Sequence, residues 1–325
     1  MIEIFEEVWN HAFTILDRGF KVEVTKTQTV PTIEDSAITF DNLDEGYKQV
    51  KELRTCVLFI DIRNSTELNQ ILSQEDLTRL YGFFVKSMVS VAQRFGGHVR
   101  NIVGDRVMVI FDEESCFRNA VYTAVLMHTV SDYLISPITK QLLGFDFCCG
   151  VGIDYGLMTV SKVGAIRRGQ ERDAYRSLVW LGRPANIASK LTDLAYKIVT
   201  SREKKVSVGY ISAANPNLLW RDEGLTDFLR NLQPTYLAPV LSHQQSNFCT
   251  FFQHEVSNTR VNPPILMTRA VFDGYASSEP TDASIVNGWW SEFHNHDLSG
   301  VGEVLGGWIY FRIIDDVRRQ LGIAA

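Results

Sequence analysis

Apolar and polar residues recur along much of the chain at spacings that predict its elements. Residues 2–18 place Ile4, Phe5, Val8, Ala12, Ile15 and Leu16 at helical intervals, as an amphipathic helix packed on the body or on a partner subunit would require. Residues 20–50, including "TVPTIEDSAITFDNLDEG", show no period and read as an extended connector. From Leu53 the pattern strengthens. Residues 55–61 predict a strand that ends in Asp61, and Leu77, Leu80, Phe83, Phe84, Met88, Val91 and Ala92 mark a long helix that stops at Gly96-Gly97. "HVRNIVGDRVMVIFD" reads as two strands joined by a tight turn at Gly104-Asp105. Residues 115–134 predict another helix, and "FDFCCGVGIDYGLMTVSKVG" a second pair of strands. "LGRPANIASKLTDLA" opens a helix, and "KIVTS" is a strand after it.

The order β-α-β-β-α-β-β-α-β predicts an α+β domain built on a ferredoxin-like β-α-β-β-α-β core, not a doubly wound sheet. The chain divides into an N-terminal helix and connector (1–50), a core (51–205) and a C-terminal extension (206–325) expected to complete the same domain. Proline and polar clusters break the pattern of the extension, where only "GGWIYFRIIDDVRRQLGIAA" stands out, as a late strand and a short terminal helix.

Composition narrows the function classes. The 325 residues are 45% apolar and 22% charged, as in ordinary soluble globular proteins. A net charge of −6 argues against general nucleic-acid binding, which leaves a basic footprint. The chain holds no apolar run of transmembrane length, and its acidic N-terminus is unlike a signal peptide, so a cytoplasmic protein off the membrane is expected. Cys56, Cys116, Cys148, Cys149 and Cys249 show no C-x-x-C spacing and suit buried thiols in a reducing compartment. His294, His296 and Asp297 of "EFHNHD" have metal-like spacing without companions and read as surface loop, while the tryptophans of "NGWW" and Trp308 read as core.

Two aspartates carry the candidate chemistry. Asp61 ends the first core strand, where an unpaired carboxylate is costly to bury. Asp105 sits in the turn of the following hairpin. Singly, each fits a plain role: Asp61 as a helix cap, Asp105 as a turn residue. In a ferredoxin-like sheet the first strand and that hairpin are neighbours, so the two carboxylates can converge as a two-metal phosphoryl-transfer site needs. Magnesium or manganese suits all-oxygen ligation of this kind. Arg63, Asn64, Ser65 and Thr66 then form a polar turn able to meet phosphate oxygens, or an ordinary helix start.

"LFIDIRNST", "VGDRVMVIF", "CCGVGIDYG" and "WLGRPANIASKL" together resemble the four signature blocks of the class III nucleotide cyclases, over roughly residues 53–201. The resemblance implies a cyclase domain in which the ribose 3′-hydroxyl of a nucleoside triphosphate attacks the α-phosphorus and pyrophosphate leaves. It implies two metal ions, Mn2+ or Mg2+, on Asp61, Asp105 and the carbonyl of Ile62, and a head-to-tail homodimer with shared sites. Asn186 matches the family's transition-state asparagine, and Lys190 stands where the family has arginine, keeping the charge but losing the planar fork. Lys190 either neutralises the α-phosphate, or that role has moved and it is a plain surface lysine. Phe59 matches a residue that packs against the base, and Asn101 and Val179 match the base-reading positions. Neither purine code is present there, and a valine cannot replace a base-reading carboxylate without losing a hydrogen bond.

In this the chain is similar to the Pycsar group of bacterial pyrimidine cyclases. That likeness implies UTP, or else CTP, as substrate, and an antiphage signal read by a cyclic-nucleotide-binding effector. A purine cyclase and a nucleotide-binding dimerisation module without turnover are the other readings. No lysine follows Lys205, so the terminal phosphates that a late lysine often serves in the family are left to Arg202, Lys204, Lys205 or Arg269, or to metals and backbone. Arg167, Arg168, Arg172 and Arg176 read as a solvated arm at the dimer interface.

Overall fold

The computed structural model describes residues 1–41, 46–164, 176–212, 215–236 and 240–323; Arg167, Arg168 and Arg172 lie outside them. Helix α1 (Ile2–Leu16) precedes strands β1 (Lys21–Lys26) and β2 (Tyr47–Ile62). Next come α2 (Ser65–Ile71), α3 (Gln74–Arg94), β3 (Gly97–Val103), β4 (Arg106–Phe111), α4 (Cys116–Val130) and, after a π-helical turn at Ser131–Ile135, α5 (Ser136–Leu143). They are followed by β5 (Cys149–Val163), β6 (Ser177–Leu181) and α6 (Arg183–Leu194).

The chain then runs through β7 (Ile198–Ser212), β8 (Asn215–Gly224), α7 (Leu225–Arg230), β9 (Leu232–Pro234), β10 (Leu241–His243) and β11 (Phe248–Val261). It ends with β12 (Ile265–Thr268), α8 (Arg269–Ser278), α9 (Ala283–Val286), β13 (Ser291–Glu292), β14 (Val304–Gly307) and α10 (Ile313–Leu321). Two compact units result: Met1–Lys197 with Asn262–Ala325, and Ile198–Val261. The divisions fall at 197/198 and 261/262, where the sequence pattern suggests 205/206.

In the larger unit β2-α3-β3-β4-α4-β5 is the expected α+β core. Its strands stand in the ferredoxin-like order β5-β2-β4-β3, each antiparallel to its neighbour. The strand predicted at 55–61 is the end of a longer one, and β2 and β5 each carry two partners on their outer side. β2 pairs with β1 over its first part and β4 over its last; β5 pairs with β12 near its start and β6 near its end. The last segment returns to this sheet, adding β12, β14 and β13 at its edge.

Strand parity sorts the core. Cys56, Leu58, Ile60 and Ile62 face α3 and α4, packed with Phe84, Met88, Ala120 and Ala124. Leu53 and Val57 face the other way, packed with Met108, Ile110, Met158, Ala188 of α6 and Val30 of the connector.

"FDFCCGVGIDYGLMTVSKVG" holds one long strand, β5, and not a pair. Its glycines serve a close approach: none of Gly150, Gly152 and Gly156 has a positive φ. A Cβ at Gly150 would stand 2.9 Å from Thr192 O, and one at Gly152 would overlap Ala188 O and Thr192 N, so α6 lies directly on β5.

"KIVTS" opens β7, in the smaller unit. There β11-β7-β8 form one sheet and β9 and β10 a short hairpin, around Val206, Val208, Tyr210 and Phe228. The excursion leaves and returns at one point, since Asn262 N donates to Lys197 O at 3.0 Å and Asn262 Nδ2 to Leu194 O at 2.9 Å. Helix α1 buries none of its residues, and Phe5, Trp9 and Phe13 stay exposed. Trp290 is in the core, Trp289 and Trp308 are about half exposed, and His294 and His296 are on the surface. Among the described residues no helix is long and apolar enough to cross a membrane.

Because α6 touches the β5 backbone at Gly152, Gly152→Ala is expected to destabilise the protein by about 1–3 kcal/mol, the usual range for overpacking. Urea unfolding measures it. A midpoint equal to wild type would show that α6 can lift off β5 without loss.

Candidate active site

Parity decides what gathers at the end of β2. Asp61 shares the α6 face of the sheet with Val57, opposite to Ile60 and Ile62. On β4, Val107, Val109 and Phe111 face the main core, so Arg106 shares the α6 face with Met108 and Ile110. The antiparallel register runs from Val57↔Ile110 to Ile60↔Val107, and one further step sets Asp61 beside Arg106.

The two side chains meet. Arg106 donates to Asp61 Oδ2 from Nη2 at 2.6 Å and from Nε at 3.2 Å. The same Nη2 also donates to Asp193 Oδ1, and Nη1 donates to Ser189 Oγ at 2.8 Å. Arg63 adds a second cation, with Nη2 3.5 Å from Asp61 Oδ2 and Nη1 donating to Asp193 O at 3.2 Å. Asp61 is 15% exposed, Arg63 12% and Arg106 28%, so water screens these charges only partly.

Asp105 comes to the same place from the β3–β4 turn. Burial pushes the Asp61 carboxyl above the ordinary aspartate range; Arg106 pulls it down, while the charge of Asp105 and a hydrogen bond with it push up. Oδ2 of Asp105 is buried and has no hydrogen-bond partner. A carboxylate pair with one buried oxygen unspent fits a hard divalent cation. The Ile62 side chain is in the core, which leaves only its backbone for ligation. Among the described residues no group of three or more His, Cys, Asp or Glu is placed to hold a metal, so backbone, water and substrate would complete the shell.

The remaining predicted residues divide into two sets. Arg63 belongs to the cluster. Asn64 takes a left-handed conformation (φ 56°) that turns the chain into α2, and Ser65 and Thr66 open that helix. The Asn64 carbonyl accepts from Glu67 N and Leu68 N, but its side chain caps nothing. Phe59 is half-buried beside its strand partner Met108, against the cluster that also holds Val57 and Ala188, and its carbonyl accepts from Thr192 Oγ1 at 3.2 Å.

Asn186 and Lys190 form an exposed stripe on α6 and make no hydrogen bond or ion pair with Asp61 or Asp105 among the described residues. Asn101 is exposed on β3 beside an irregularity in its register with β4, and Val179 is half-buried on β6 opposite Ser161. Arg269 is engaged by Glu303 at 2.8 Å and Glu292 at 3.6 Å. Arg106, Ser189 and Asp193 belong to the cluster without being singled out by any of the sequence motifs. The period-2 pattern of "RVMVIF" was the signal for Arg106; nothing comparable marks Asp193.

No family model matches the chain. The uridylate cyclase of Burkholderia cepacia is 30% identical over 180 residues, covering 54% of this chain and 72% of that protein. The uridylate cyclase of Gulbenkiania mobilis is 29% identical over 236 residues, covering 69% of this chain and 85% of that protein. Among solved structures, an adenylyl cyclase from P. aeruginosa aligns over 81% of this chain and 97% of its own with 18% identity and a TM-score of 0.48.

The cluster makes a stability prediction of its own. Asp61→Asn keeps the shape and leaves two poorly hydrated guanidinium groups without their shared carboxylate. It is expected to lower stability by about 1–3 kcal/mol, read from the urea midpoint at unchanged slope. An unchanged or higher midpoint would mean that desolvation of the three groups already cancels their attraction.

Proposed function

The chain belongs to the class III nucleotide cyclases, and we propose that it converts a pyrimidine ribonucleoside triphosphate, UTP foremost, into the 3′,5′-cyclic monophosphate and pyrophosphate. The observation that carries this is the Asp61–Asp105 pair, with its unspent buried oxygen, at the meeting of β2 and the β3–β4 turn. In the reaction the ribose 3′-oxygen forms a bond to the α-phosphorus and gives up its proton. The bond from that phosphorus to the oxygen bridging to the β-phosphate breaks, and pyrophosphate leaves. Two divalent ions, Mn2+ or Mg2+, held by Asp61, Asp105 and the Ile62 carbonyl, would activate the hydroxyl and offset the phosphate charge.

The protein supplies position and charge. Arg63 and the turn Asn64-Ser65-Thr66 hold phosphate oxygens. Phe59 packs against the base, with Asn101 and Val179 beside it. The Asn101 amide can both donate and accept, as a pyrimidine edge asks, and the missing purine code favours a pyrimidine. So do the relatives named uridylate cyclase. Asn186 and Lys190 face outward in one chain, so in this reading they act on the transition state of a partner's site, within a head-to-tail homodimer. Its catalytic core lies in the larger unit, with β12, β14 and β13 of the last segment completing the sheet. The product serves as a cytoplasmic antiphage signal for a cyclic-nucleotide-binding effector.

The test is to incubate purified protein and Mn2+ with ATP, GTP, CTP and UTP separately and identify products by mass. Cyclic UMP is expected in excess. Product from ATP or GTP alone would sink the pyrimidine reading, and no product from any substrate would favour a binding module. Asp105→Asn is expected to abolish turnover with an unchanged dimer by light scattering. Retained activity would remove Asp105 from the metal site.

A further inference from the structure

Arg106 occupies an unusual position. One nitrogen, Nη2, is shared between Asp61 and Asp193, while Nε lies on Asp61 at 3.2 Å and Nη1 on Ser189 at 2.8 Å. The guanidinium therefore sits at the boundary between two carboxylates, with donors already committed to both sides. Ser189 and Asp193 are four residues apart on α6, hence on one face of it. That helix rests on the backbone of β5, which in turn pairs with the end of β2 through Asp61↔Gly150. The second carboxylate is thus held at a fixed place relative to the first. Asp193 is 57% exposed and Asp61 15% exposed, so the Asp193 charge is the more easily hydrated of the two.

We infer that Asp193, with Ser189, is a second seat for Arg106, to which the guanidinium withdraws when a divalent cation takes Asp61. A cation bound at Asp61 repels the guanidinium now resting on that oxygen, and both cannot use Oδ2. Withdrawal is short, because Nη1 and Nη2 already contact the second seat and only Nε and the Asp61 share of Nη2 must be released. Asp193 is then a positioning residue: it acts on the metal site through Arg106 and touches neither metal nor substrate. Arg106, moved aside but retained, keeps a positive charge beside the place where phosphates would enter.

The inference rests on the metal reading of Asp61 and Asp105, and Mn2+ binding without nucleotide tests it. Affinity is read by calorimetry or by the loss of free Mn2+ signal in electron paramagnetic resonance. Arg106→Gln removes the competitor and is expected to tighten Mn2+ roughly five-fold, the upper range for a partly exposed ion pair. Asp193→Asn removes the second seat and is expected to weaken it by a similar factor. Arg106→Lys, with the charge but not the fork, should fall between Arg106→Gln and wild type.

The double variant distinguishes a seat from a bystander. Without Arg106, Asp193→Asn should have no further effect, so the double variant should match Arg106→Gln. An undiminished effect of Asp193→Asn in that background would show direct action on the metal and overturn the inference. Weakened or unchanged binding in Arg106→Gln would overturn it too. Wild-type protein that takes up no Mn2+ removes both this inference and the metal reading. The expected pattern without cyclic product from any triphosphate leaves the exchange standing and removes the cyclase reading.

Discussion

The antiparallel pairing of β2 with β5, from Lys51↔Val160 to Ile62↔Cys149, is the constraint on which the larger unit turns. It fixes which side chains of β2 meet α3 and α4 and which meet α6. A slip of one residue would exchange the two sets and drive Asp61 among Phe84 and Met88. It also presents Gly150 and Gly152 to α6, which brings Ser189 and Asp193 within reach of Arg106. Sheet register, helix seat and charge cluster are one arrangement seen at three scales.

That arrangement leaves an electrostatic conflict in place. Asp61 is desolvated and stands beside Asp105, so two like charges crowd the end of a buried strand. Arg63 and Arg106 offset part of this from one side, yet Oδ2 of Asp105 remains buried without a partner. Buried polar atoms are rarely left so unless another group belongs with them. The β3–β4 turn and the end of β2 are both held by strand pairing, so the carboxylates cannot simply separate. The proposed phosphoryl-transfer chemistry uses a conflict that packing enforces.

Much of this was legible in the sequence, for identifiable reasons. Alternation in "TCVLFIDI" and "RVMVIF" predicts two strands, and the Gly104-Asp105 turn between strands follows from residue type, so the sequence alone pairs Asp61 with Asp105. Arg106 obeys the same alternation but was overlooked beside the aspartate that precedes it. Asp193 is out of the sequence's reach because its role depends on how α6 sits on β5, which a tertiary contact at Gly150 and Gly152 sets. β12 is hidden by its brevity, since Ile265–Thr268 is too short to show a period, and the late strand expected in "GGWIYF" lies earlier, at Val304–Gly307; both draw their order from neighbours in the sheet. Asn101 and Val179 indicate a base only by what they lack.

The hydrogen-bonded junction of Lys197 with Asn262 has an evolutionary consequence. A segment that departs and re-enters at a single point behaves as a loop on the frame that carries it. Doubling the length of such a loop costs only about 0.6 kcal/mol in closure entropy. Insertions, deletions or wholesale exchange between 198 and 261 therefore place little burden on the sheet. Selection can remodel that segment for new binding purposes while the register that aligns Asp61 with Arg106 stays under separate and stricter control.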